Sequence, residues 1–127
     1  FISINTKCRA NFYIYPKKIS VEKPNILYIE KLARGDESVR KTLINVIKTE
    51  FPGEREEYLK SVQKKNFKEI EDNVHRIKHK FSILGLERSY EKANEFEHNL
   101  REHNLDVTQK EDFDIILSII SQYLKTI

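Results

Sequence analysis

The run Asn66-Phe67-Lys68-Glu69-Ile70-Glu71-Asp72-Asn73-Val74-His75-Arg76-Ile77-Lys78-His79-Lys80-Phe81-Ser82-Ile83-Leu84-Gly85 spaces its apolar residues with a helical period. At about 100° per residue, Ile70, Val74, Ile77, Phe81 and Leu84 fall within about 80° of one another. Asn66 and Glu69 stand at the N-cap and N3 positions of a capping box, and Gly85 suits the residue just past a helix end. The spacing therefore predicts one helix from Asn66 to about Leu84. A helix with so narrow an apolar stripe must lay it against other helices.

The flanking sequence supplies them. Pro24 and Asn25 mark a start, and Ile26, Ile29 and Leu32 recur until Gly35. Asp36 is placed to cap a helix with Val39, Leu43, Val46 and Ile47 on one face. Phe51-Pro52-Gly53 is expected to bend or break it, since proline removes a donor and disfavours helical geometry before it. The pattern resumes at Tyr58, Leu59 and Val62. Beyond Gly85, Leu86, Tyr90, Ala93, Phe96 and Leu100 form one stripe. Thr108 and Glu111 read as a second capping box opening a last helix with Phe113, Ile116, Leu117, Ile120 and Leu124. Short connections make sequential helices antiparallel neighbours. The expected fold is all-α: an up-down four-helix bundle over residues 24–127 with a short leading helix.

Composition agrees. The 127 residues are 39% hydrophobic and 34% charged, with only three Gly and three Pro, which fits a single helical domain better than disorder or a turn-rich β fold. No apolar run reaches the ~18 residues of a membrane span, so no membrane insertion is expected. No signal peptide is evident, and a cytoplasmic location follows as the expectation. A chain without Met, even at position 1, reads as a fragment or a processed chain. Cys8 alone can form no internal disulfide.

Residues 1–23 stand apart as an N-terminal extension of unassigned role. Phe1-Ile2-Ser3-Ile4 and Asn11-Phe12-Tyr13-Ile14-Tyr15 suit a short strand, an extended arm or sequence from a neighbouring domain. Lys7, Arg9, Lys17 and Lys18 face no acid in residues 1–20, leaving 19 of the 23 basic side chains against all 20 acidic ones. The net charge of +3 therefore belongs to the arm. The body is electrically mixed, and no nucleic-acid footprint is expected across it.

Gly-rich phosphate loops, nucleophile elbows and zinc-protease motifs are absent from the sequence. What stands out is His75, which lies well round from the apolar stripe beside Glu71 and Ser82. Lys78 sits at the stripe's edge next to it, and His79 lies nearly opposite the core. Many charged helices carry such a histidine without further role. A shared metal on His75 and His79 lacks a third ligand in the sequence, so no metal site is expected.

Here the chain resembles the histidine phosphotransfer (HPt) domains of two-component phosphorelays, whose signature is His-x-[Leu/Ile]-Lys followed by glycines. His75, Ile77, Lys78 and Gly85 fall at the matching offsets. Tyr28 to Asp36 resembles the family's first helix and Gly-Asp turn, and Phe51-Pro52 its helix–Pro–helix step. Asn66-Phe67 precedes the histidine at the usual distance. The resemblance runs from about Pro24 to the C-terminus. One departure is His79, where the family usually has Gly to give a docking partner room.

The resemblance implies a phosphorelay intermediate. His75 would accept a phosphoryl group from a receiver-domain aspartyl phosphate and pass it to another receiver. Lys78 would stabilise charge on the phosphoryl group, and Lys68, Glu71, Asp72, His79 and Ser82 would dock the receiver. The chain would be a phosphoryl carrier without an independent active site, with no cofactor of its own and Mg2+ on the receiver. Its partners would be receivers of response regulators, a hybrid histidine kinase, or both, and it would act as a monomer. The rival readings are a helical interaction module without phosphotransfer (a pseudo-HPt domain) and an anion- or nucleic-acid-binding domain using the arm and the basic residues of Lys64–Lys80.

Overall fold

The computed structural model describes residues 22–127, so the expectations for residues 1–21 lie outside the described residues. All regular structure among the described residues is helical: α1 (Leu27–Ala33), α2 (Glu37–Lys64), α3 (Phe67–Ile83), α4 (Glu87–Arg101) and α5 (Val107–Leu124). α3 packs against α2 and α4, and α5 closes on α4 and α2, with α1 lying against α2.

Capping chemistry sets most of the boundaries. The Asp36 carboxylate accepts the backbone N–H groups of Ser38 and Val39, and the Asn66 side chain accepts that of Glu69. Gly85 follows the C-cap Leu84 of α3, and its φ of +77° is the left-handed conformation expected just past a helix end. A β-carbon there would come within 2.6 Å of the Asn25 side chain, because Asn25 crosses over Gly85 and donates its N–H to the Leu84 carbonyl. Lys65 takes the same left-handed conformation to end α2 without a glycine. The last helix starts earlier than expected: Asp106, not Thr108, caps α5 by accepting the Gln109 N–H.

The core is built from Ile70, Val74, Ile77, Phe81 and Leu84 of the central helix and its end, as the stripe predicts. Phe113 of α5 is its junction. Its ring lies 5.0 Å from Tyr58, 5.4 Å from Phe81 and 5.5 Å from Phe96, one aromatic from each of α2, α3 and α4. Such tilted pairs add about 0.5–1.5 kcal/mol each beyond the area they bury.

Two expectations about α1 and α2 are corrected. Leu32, Val39, Val46 and Leu59 are exposed, and the buried faces carry Ile29 and Ala33 of α1 and Ile44, Ile47, Phe51, Tyr58 and Ser61 of α2. α2 also runs unbroken through Pro52. An interior proline costs about 3 kcal/mol, and burial of the apolar residues before and after it offsets that cost. Phe51 and Tyr58, both fully buried, anchor the helix on either side of Pro52.

Candidate functional site

His75 lies at the middle of α3, more than four residues from either end, where the backbone is fixed by helical hydrogen bonds on both sides. Its side chain is 57% exposed. The ring is not free to turn, however. Nδ1 lies 2.9 Å from the Oε2 of Glu97 on α4. Since an ionised carboxylate only accepts, Nδ1 is the ring nitrogen that donates to Glu97, and Nε2 is the one left outside that bond.

Glu97 is the centre of the site. Its side chain is only 8% exposed, and it gathers three partners: His75, the Lys78 ammonium at 2.7 Å and the Arg101 guanidinium at 3.2 Å. Burial alone would raise its pKa, but hydrogen bonds from Lys78 and His75 outweigh that and hold the carboxyl below its ordinary value. Glu97 is therefore ionised throughout the neutral range. Arg101 reaches a second carboxylate, Glu71, at 2.9 Å, which ties α4 back to α3 below the histidine.

Lys78 sits differently from the expectation of a charge beside a transferring phosphoryl group. It is 10% exposed, and its ammonium donates to Asn94 Oδ1 at 2.6 Å and Glu97 Oε1 at 2.7 Å. The Tyr90 ring lies 5.6 Å from the same nitrogen. These contacts draw the ammonium toward α4 and away from open solvent. The cause is geometric. Lys78 lies at the flank of the apolar stripe, where α4 packs, and a buried cation must find an anion.

The other residues named for docking share the exposed side of α3 to differing degrees. Lys68 and Asp72 pair with each other at 3.2 Å, one turn apart in solvent. His79 and Ser82 are exposed, whereas Glu71 is largely covered by its pair with Arg101. The His79 ring stands edge-on to that of His75, with centroids 5.1 Å apart. The basic surplus of Lys64–Lys80 is reduced by pairing. Lys64 meets Glu69, and Lys80 is buried on the opposite flank against Glu50 and Glu54 of α2.

No family model, curated protein or solved structure matches this chain. The case for the site therefore rests on the geometry alone. That geometry includes three residues the sequence reading did not pick: Glu97, Asn94 and Arg101. A signal was present for Glu97. It falls between Ala93 and Leu100 at helical spacing, on the very stripe that α4 turns to the core. A carboxylate on an apolar face needs a cationic partner, and Lys78 at the edge of the facing stripe is that partner. Among the described residues, no three His, Cys, Asp or Glu side chains gather as a metal cluster, and no helix is long and apolar enough to cross a membrane.

Proposed function

We propose that the chain is a phosphoryl carrier of the HPt type, with His75 as acceptor. The observation that carries this reading is the oriented imidazole: an exposed His75 ring whose Nδ1–H is held by an ionised, nearly buried Glu97, leaving Nε2 outside that bond. A nucleophile for in-line transfer must be exposed and fixed in direction, and His75 has both properties together. We read α2 to α5 as an antiparallel up-down bundle with α1 as its short leading helix; its connections are short, Lys65–Asn66 between α2 and α3 among them.

In the step, the Nε2 lone pair attacks phosphorus of a receiver's aspartyl phosphate. The Nε2–P bond forms, the P–O bond to the aspartate breaks, and the aspartate leaves as carboxylate with the bonding pair. His75 keeps its Nδ1 proton, so the phosphorylated ring is cationic, and Glu97 faces that new charge. Reversal onto a second receiver's aspartate completes the relay. The receiver supplies Mg2+ and most of the stabilisation of the phosphoryl oxygens. Lys78 works through Glu97 as a positioning residue. Lys68, Asp72, His79 and Ser82 form the exposed surface the receiver meets.

The test is direct. Incubated with phosphorylated receivers, the wild type should gain acid-labile, base-stable phosphate, and His75→Gln should gain none while keeping its helical circular dichroism. Phosphate persisting in folded His75→Gln but lost in His79→Gln would move the acceptor one turn along α3. A wild type that accepts nothing would leave the bundle as an interaction module.

A further inference from the structure

We propose that His75 and His79 together bind a late first-row divalent cation of the Zn2+, Ni2+ and Cu2+ class, and that the bound ion takes the Nε2 lone pair of His75 out of phosphoryl transfer. The first half stands on the geometry alone, and the second rests on the function proposed above.

Residues four apart lie on one face of a helix, and here both rings are exposed with centroids 5.1 Å apart. An ion bound to two imidazoles at ~2.0–2.1 Å from each nitrogen, with a tetrahedral angle between them, holds the ring centres about 5.2 Å apart. The present separation of the two rings is thus close to that of a chelate. The rings now meet at 89°, edge to face, and rotating the exposed His79 side chain turns its nitrogen toward the shared point without moving the helix.

The second observation is Glu97. Imidazoles that ligate metals commonly donate their other N–H to a carboxylate, which fixes the tautomer and strengthens the ligand. His75 has that arrangement through Nδ1, and the nitrogen left open is Nε2. Neutral imidazole selects Zn2+, Ni2+ or Cu2+ over Mg2+ and Ca2+, which prefer oxygen ligands. The Mg2+ of a receiver would therefore not compete. The chain contributes two ligands, and the remaining positions of the ion belong to water or to a docked partner. His79, which departs from the family's usual Gly, thereby gains a role that glycine cannot fill.

The experiment has two arms on the full 127-residue chain. In the first, Zn2+ is titrated calorimetrically. One ion per chain is expected. His75→Gln and His79→Gln should each weaken binding roughly tenfold or more, while Cys8→Ser and His98→Gln leave it unchanged. Equal affinity in wild type and His79→Gln, or loss in Cys8→Ser, overturns the site. In the second, phosphoryl uptake from a phosphorylated receiver is followed with and without saturating Zn2+. Wild type should slow tenfold or more, and His79→Gln should not. Equal slowing of both assigns the effect to the receiver and overturns the occlusion. A wild type that takes no phosphate even without Zn2+ defeats the proposed function instead, leaving the titration to decide the metal site.

Discussion

Lys78 and Glu97 form the pair on which the orientation of the His75 ring depends, and each is costly to leave alone. Lys78→Ala strips the nearest cation from a carboxylate that is 8% exposed. Arg101 and His75 still reach Glu97, so the expected loss is about 1–3 kcal/mol rather than the full cost of an orphaned buried charge. Urea titration reads this as a lower midpoint at unchanged slope. Phosphoryl uptake should fall as well, because a Glu97 released from Lys78 no longer fixes the imidazole. Uptake at the wild-type rate in a destabilised Lys78→Ala would separate the pair from the chemistry. The exposure of His75 was legible in the sequence because it follows from helical phase. Lys78's partner was not, because phase within α3 says nothing about which α4 residue faces it.

The long helix α2 carries its cost in plain view. Pro52 withholds the donor that the Lys48 carbonyl would otherwise receive, yet the helix continues to Lys64. Pro52→Ala restores that donor at an exposed position and should stabilise the fold, by up to about 3 kcal/mol. A midpoint that falls would mean that the proline shapes the packing of Phe51 rather than being tolerated by it. Asn66→Ala should do the opposite at the start of α3, costing about 1 kcal/mol through the lost cap to Glu69. Helices α3, α4 and α5 could be read from sequence because their apolar residues keep one phase. α1 and the first half of α2 were legible as helices, Asp36 cap included, but their buried faces were not: several large apolar residues there, Leu27, Tyr28, Leu32, Val39 and Val46, lie on the solvent side, and their phase competes with that of the buried set. The cap of α5 was misplaced by two residues because Asp106 and Thr108 both lie before the apolar run, and only the fold distinguishes them.

The whole bundle should respond to acid through its depressed carboxylates. Glu97 and Glu22 are both held below the ordinary carboxylate value of 4.5 despite burial. Each contributes stability that is present above pH 4.5 and is lost as pH falls through its lower folded value. Glu97→Gln should be less stable near neutrality and lose less between neutral and acid pH than the wild type. Parallel stability curves for the two proteins would show that Glu97 does not carry this dependence. Glu22 was assigned by sequence to an extension outside the bundle, since no helical pattern reaches it. Instead its carboxylate accepts the N–H groups of Arg88 and Ser89 at 2.9 and 2.8 Å, where Leu86 offers α4 no side-chain cap. Glu22→Ala should fray that turn and speed amide exchange at both residues. The backbone at residue 22 is thus fastened to the helix that bears Glu97, not only to α1, which follows it in sequence. A pull on the chain from the N-terminal side would load α4 first, and through it the carboxylate that aims the histidine.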